Sequence, residues 1–365
     1  MINLKKERRE PLPEGTILWF LNGEEYTLQG RIAENRNALY YKALSRKTGQ
    51  VTVLKEFFNS HWVRLNGAPA LKGWQNEPHD SPKLVRTYLW LRRQAEQEQR
   101  LNQELCSSVR CLVPEKPVLP AGTILLPDGT EWQWPYCAFL EMEGMTPEQG
   151  FPVRALMREC SWVRSPEHPF GNMPRQRTDS YSRNCCAVPA AAVTMQIYRH
   201  TLLALHQLHE TGYVMGDVSP GNLFVEGSLA EGCIRGVSFV NVYTVRKIGE
   251  TEMPGDAAPG FYAPELTAGP ITEKADVFSA GRLLLSMLYP TAVNNLRLGR
   301  PLNFLEDVQH LTEGASVPSG LPQEMRAEVN HLLENTSDPA PERRMTLDAM
   351  LAQAEDWCRR LETQS

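Results

Sequence analysis

Residues 213–225 read Y-V-M-G-D-V-S-P-G-N-L-F-V, and the reading of this stretch decides the fold. Asp217 and Asn222 stand at the two ends of a tight turn through Pro220 and Gly221, and the apolar, strand-like run Leu223, Phe224, Val225 follows at once. A loop of this shape offers a carboxylate to an attacking hydroxyl and an amide oxygen to a metal ion, the two groups phosphoryl transfer asks of one loop. A buried aspartate in a turn is also a common structural device, so the loop is read with its surroundings.

The 365-residue chain is long enough for one large domain or two lobes with ample core. Its 42% hydrophobic and 22% charged residues are ordinary for a globular protein. A net charge of −5 and an isoelectric point near 6.0 exclude a broad electrostatic footprint for nucleic acid, and the basic cluster Lys5, Lys6, Arg8, Arg9 reads as a solvated tail. No apolar run reaches membrane-spanning length and no signal-peptide pattern opens the chain, so the expectation is a cytoplasmic protein without a membrane partner. The eight cysteines show neither C-x-x-C nor zinc-finger spacing and read as reduced thiols, with the adjacent Cys185 and Cys186 as packing residues before redox sensors.

Upstream of the loop the chain is rich in strand signals. Residues 12–26 form a hairpin about Asn22-Gly23, a turn whose two positions favour positive φ. The phrase L-P-x-G-T-I-L returns at residues 119–125 before Asp128-Gly129, predicting a second hairpin of similar chemistry. Residues 26–32, 38–44 and 50–58 are extended and rich in aromatic or β-branched side chains, so an antiparallel sheet is expected. Residues 81–105 have helical periodicity, residues 164–189 are a Pro-, Arg- and Ser-rich loop, and residues 190–209 form an apolar helix that delivers the chain to the loop.

The loop resembles the catalytic loop of the protein kinase family, H-R-D-x-x-x-x-N, with Met215 and Gly216 in place of His and Arg and with Ser219 where many members carry a lysine. Other stretches extend the resemblance in the same order. V-T-V-L-K, ending at Lys55, is similar to the V-A-I-K strand, whose lysine reaches the ATP phosphates and is held by a helix glutamate; Glu98 fits that partner, with Glu96 and Glu104 competing. The resemblance places a glycine-rich phosphate loop between Tyr26 and Tyr41, where Ala33, Asn35 and Ala38 occupy the glycine positions and Glu34 adds negative charge beside Arg36. Cys137 to Gly144 resembles the hinge, with Glu141, Met142 and Glu143 lining the adenine site and Leu140 at its back wall.

Downstream, residues 259–266, P-G-F-Y-A-P-E-L, are similar to the A-P-E end of the activation segment. D-V-F-S-A-G, opening at Asp276, is similar to the helix that braces the catalytic loop, and residues 338–346 resemble the segment whose arginine, here Arg344, forms a buried ion pair with Glu265. The metal-binding D-F-G has no counterpart with a carboxylate. Asn241 stands in its place in one register and Ser238 in another, and loss of the acid weakens a hard-cation site.

These motifs imply an α+β, bilobal protein-kinase-like fold: a tail of residues 1–11, a small antiparallel β-rich lobe of 12–142, and a larger, mainly helical lobe of 143–361 carrying the 164–189 loop. The missing D-F-G acid, the replaced glycines and the altered catalytic loop favour a pseudokinase, a regulatory or protein-binding module. The alternative is a divergent Ser/Thr kinase, in which Asp217 is the base, Asn222 and Asn241 hold Mg²⁺, and Lys55 positions the phosphates of ATP on a protein substrate. A small-molecule kinase is the third reading, disfavoured by the A-P-E segment and the helix after it.

Overall fold

The computed structural model describes residues 10–35, 37–58, 62–65, 68–71, 81–120, 122–134, 138–146, 150–153, 191–228, 232–251, 258, 260–267, 269–288 and 321–363. The 164–189 loop, the basic cluster, Arg36, Cys137, Cys185, Cys186 and Pro259 lie outside them. The chain divides into two compact units, one of Met1–Ser107 with Leu112–Gln149 and one of Ser108–Cys111 with Gly150–Ser365. Helices and sheet are mixed, and the sheet of the first unit is antiparallel. Among the described residues no helix is long and apolar enough to cross a membrane.

The first unit contains β1 (Ile17–Phe20), β2 (Glu25–Glu34), β3 (Ala38–Ser45), β4 (Val51–Phe57), β5 (Trp62–Leu65), β6 (Ala68–Leu71), helix α1 (Pro82–Cys106), β7 (Gly122–Leu125), β8 (Glu131–Trp134) and β9 (Phe139–Met142). Seven strands form one sheet in the order β8-β7-β1-β2-β3-β4-β9, while β5 and β6 pair separately. Both predicted hairpins form. Their repeated phrases also pair with one another: Ile17 lies opposite Leu125 and Leu18 opposite Ile124, so equivalent residues exchange places across a local two-fold.

Helix α1 starts where its chemistry says it should. Ser81 Oγ accepts the Leu84 N–H at 3.3 Å and Pro82 occupies a first-turn position that needs no donor. Leu84, Tyr88, Leu91 and Ala95 recur at helical spacing and enter one apolar core with Leu18, Phe20 and Tyr26 of the β1–β2 hairpin, Leu54 of β4 and Phe139 of β9. The same stripe continues to Glu98, which places a carboxylate on the buried face of the helix.

The second unit contains β10 (Gly150–Pro152), α2 (Ala191–Glu210), β11 (Tyr213–Val214), β12 (Leu223–Ser228), β13 (Cys233–Phe239), β14 (Arg246–Lys247), a 3-10 turn (Pro264–Thr267), α3 (Glu273–Leu288), α4 (Gln323–Thr336), a second 3-10 turn (Pro341–Arg343) and α5 (Leu347–Glu362). Helix α3 is buried from Ala275 to its end, its apolar residues all round carrying Asp276, Ser279, Arg282 and Ser286 into the interior with them. Gly281 lets α4 approach it: a Cβ there would stand 2.1 Å from Thr336 Oγ1. The strands β10, β12 and β13 make a short sheet, and β11 pairs with β14, so the loop of residues 215–222 is fixed by sheet at both ends.

Candidate functional site

In the first unit Lys55 sits in β4 opposite Tyr40 of β3 and Leu140 of β9, with a side chain only 1% exposed. Its Nζ donates to Glu98 Oε1 at 2.7 Å and to Glu115 Oε1 at 2.7 Å. Of the three helix glutamates named from sequence, Glu98 is the one on the buried stripe; Glu96 accepts from Arg92 Nε at 3.1 Å, and Glu104 is exposed. Glu115 was not legible, because its segment has no periodicity. Asn102 holds it in place, accepting the Glu115 N–H at 3.0 Å through Oδ1 and donating through Nδ2 to the Val113 carbonyl at 2.9 Å.

One cation thus serves two buried acids, and this sets the protonation balance. Burial opposes the charge of Lys55, but the carboxylates of Glu115 and Glu98 outweigh it and hold the ammonium above its ordinary range. Burial pushes Glu115 up to about 7, with Lys55 pulling the other way and Glu98 adding to the rise. Between the ordinary glutamate range and pH 7 the folded chain therefore keeps a proton that the unfolded chain has lost, so stability falls as pH rises through that window. Glu115→Gln is expected to abolish this slope between about pH 5 and pH 7, read as melting temperature against pH; an unchanged slope would count against a neutral Glu115.

The turn that the resemblance assigns to phosphates is closed on itself. Asn35 Oδ1 accepts the N–H groups of Asn37 and Ala38 at 2.9 and 2.7 Å, the Asn35 N–H donates to the Ala38 carbonyl at 3.0 Å, and Asn35 Nδ2 donates to the Tyr40 hydroxyl at 2.9 Å. An asparagine side chain here takes the backbone donors that an all-glycine turn would turn outward. Ala33 is not in this turn: it lies in β2 opposite Tyr40, and the turn is closed by Asn35 against Ala38. The Glu34 carboxylate is met by Arg31 Nη1 at 2.7 Å.

The strand edge assigned to adenine is likewise bonded within the unit. The Glu141 carbonyl accepts the Lys116 N–H at 3.0 Å, and the Glu143 N–H donates to the Pro114 carbonyl at 2.7 Å. Met142 is buried opposite Val53 and bridges to Glu115. The Glu141 carboxylate accepts from Tyr26 Oη at 2.8 Å, Lys116 Nζ at 2.8 Å and Thr52 Oγ1 at 3.2 Å, on the wall of a cavity of about 590 Å³.

In the second unit the loop of residues 215–222 is anchored on Asp276 of α3, a fully buried acid. Its Oδ2 accepts the Met215 N–H at 2.7 Å and lies 2.8 Å from His209 Nε2, and its Oδ1 accepts the Gly216 N–H at 2.8 Å. Gly216, with φ of 73°, suits the left-handed bend that this anchoring imposes. Asp217 is 4% exposed, and its Oδ2 accepts the Ala258 N–H at 2.8 Å. Asn222 Nδ2 donates to the Asp217 carbonyl at 2.9 Å, and its Oδ1 accepts from Asn241 Nδ2 at 3.2 Å. Asn241 Oδ1 accepts the Tyr243 N–H at 3.2 Å, whereas Ser238 lies in β13 and donates to Glu226 Oε1 at 2.9 Å, so it is Asn241 that stands against Asn222.

These residues do not fit a Mg²⁺ ion. A hard dication draws its affinity from charged oxygens. Here the two amide oxygens are neutral and accept from other groups of the chain, and the one carboxylate, Asp217, gives its Oδ2 to a backbone donor, so the site supplies a single anionic group. Among the described residues no group of three or more His, Cys, Asp or Glu could hold a metal.

Glu265 and Arg344 meet as a two-pronged pair, Nη1 to Oε1 at 2.5 Å and Nη2 to Oε2 at 2.8 Å. Arg344 also donates to the carbonyls of Asp338 and Lys274, and its guanidinium lies 5.0 Å from the Phe278 ring.

No family model matches the chain. Among curated proteins it is similar to the probable serine/threonine-protein kinase zyg-1 of Caenorhabditis elegans, 30% identical over 110 residues, which is 30% of this chain and 15% of that protein. It is also similar to the serine/threonine-protein kinase PEPKR2 of Arabidopsis thaliana, 33% identical over 92 residues, 25% of this chain and 19% of that protein. The matched stretches thus span less than a fifth of either relative, and the likeness is to a kinase-like region.

Proposed function

We propose that the chain folds as the two lobes of a protein-kinase-like domain, residues 12–142 and 143–361, and acts as a pseudokinase: a regulatory, protein-binding module without phosphotransfer. One observation carries this reading. Among the described residues, groups that the resemblance offers to a nucleotide in the first unit are bonded to the chain's own groups: Lys55 to Glu98 and Glu115, the Asn37 and Ala38 N–H groups to Asn35, the Glu141 carbonyl and the Glu143 N–H to residues 114–116. A nucleotide would have to displace these bonds before making its own, and leaving a buried carboxylate or amide unmatched costs more than a new bond returns.

The second unit supports the same reading. Asn222 and Asn241 engage their amides with one another, with the Asp217 carbonyl and with the Tyr243 N–H, and the Ala258 N–H takes one of the two Asp217 carboxylate oxygens. Two retained features favour the divergent kinase as a second reading, the Lys55–Glu98 ion pair and the Asp217 carboxylate.

Thermal melts with ATP, alone and with Mg²⁺ or Mn²⁺, separate the two. No shift in melting temperature is expected at any metal. Binding at a hundred times the dissociation constant would stabilise the fold by roughly 2.7 kcal/mol, and a metal-dependent shift of that size would overturn the proposal. If phosphate transfer were then measured and lost in Asp217→Asn, the divergent kinase would stand in its place.

A further inference from the structure

The outward face of α1 has a composition that neither the core nor the nucleotide-site residues explain. Leu89 and Trp90 are 39% and 47% exposed, two of only four large apolar side chains so exposed among the described residues. Arg86 precedes them and Arg93 follows them, at i−3/i−4 and i+3/i+4, so all four side chains share one side of the helix. The two arginines stand about 10 Å apart along the axis. Both are exposed, and neither has a hydrogen-bond or ion-pair partner among the described residues.

That is unusual for this chain. It carries more acids than bases, and the neighbouring arginines are engaged: Arg92 donates to Glu96, and Arg100 Nε to the Glu96 carbonyl. The nearby Glu96 carboxylate is thus on Arg92, and among the described residues no carboxylate pairs with Arg86 or Arg93. A flat indole with an adjacent leucine supplies apolar area at little entropic cost, and arginine forks on both sides match carboxylates; tryptophan and arginine are the residues that most often dominate binding energy at interfaces.

We propose that this face of α1 docks an acidic segment of a partner protein, with an apolar residue seated on Trp90 and Leu89 and carboxylates spaced to meet Arg86 and Arg93. Charge complementarity selects a protein rather than a nucleic acid. Arg86, Arg93 and, seven residues further on, the exposed Arg100 are three discrete guanidiniums about 10 Å apart on a chain of net charge −5. They are too few for a continuous track along a phosphate backbone, whereas paired carboxylates need no more than the two forks of Arg86 and Arg93 beside Trp90. The face shares no residue with the groups around Lys55 or with the loop that carries Asp217, so the inference does not rest on whether the chain is a pseudokinase.

The test is selection of a displayed random-peptide library on the full chain, with the variant Arg86→Glu/Arg93→Glu as the parallel target and a labelled single-stranded RNA oligonucleotide as a competing probe. The expected result is enrichment of peptides with paired acids flanking an apolar residue. Individual peptides should then bind at least tenfold more weakly to the charge-reversed variant and to Trp90→Ala, and melting temperatures of both variants should match the parent because the side chains are exposed. Enrichment without acids, equal binding to the charge-reversed variant, no enrichment, or tighter binding of the RNA would each overturn the proposal.

Discussion

Lys55→Met is expected to destabilise the fold by about 3–5 kcal/mol near pH 8, the range found when one partner of a buried ion pair is removed. The substitution keeps most of the apolar stem but leaves Glu98 and Glu115 facing each other with no cation, each at most 3% exposed. Two carboxylates in such a site cannot both stay ionised, so they take up protons instead. The loss is therefore expected to shrink towards pH 5, where protons are cheap to bind, and to shrink again in Lys55→Met/Glu115→Gln, which removes the second acid. Chemical denaturation at the two pH values, with slopes compared so that only midpoints are read, measures both effects. A loss that is small and independent of pH would mean that the carboxylates are reached by water and that the lysine is not their counter-ion.

This expectation also bears on function. Where the lysine of a nucleotide site must leave its glutamate partly free to meet phosphate, Lys55 is held by a second acid whose backbone is placed by Asn102 and β9. On the proposed reading, stabilising the lysine and excluding a nucleotide are one arrangement seen from two sides.

Arg344→Ala is the second large effect, a loss of about 4 kcal/mol in the same assay, since it strands the Glu265 carboxylate and frees carbonyl acceptors together. The side chain ties the Pro264–Thr267 turn to the start of α3 and to residues 338–339. Lysine is not expected to rescue it, because one ammonium cannot reproduce a fork with several fixed donors. Glu265→Gln should cost less than half as much, because Arg344 then keeps its carbonyl acceptors and its place on Phe278. Equal losses for Glu265→Gln and Arg344→Ala would show that the ion pair, and not the guanidinium as a hub, carries the stability.

Much of this was legible in the chain itself. Turn residues such as Asn22-Gly23 and Asp128-Gly129 determine local backbone by sterics, and the recurrence of Leu84, Tyr88, Leu91 and Ala95 determines which side of α1 is buried, so hairpins and helices could be placed from order and period alone. The same period put Glu98 inward, and the spacing of Asp217 and Asn222 put both on one loop. What sequence could not supply was who meets whom. That Glu115 shares Lys55, that Asn222 and Asn241 bond each other, and that the Ala258 N–H reaches Asp217 are contacts between residues with no shared period. Such contacts follow from the way the packed elements bring distant backbone segments together. A side chain's identity states which bonds it can make, and only the tertiary structure decides which it has already made.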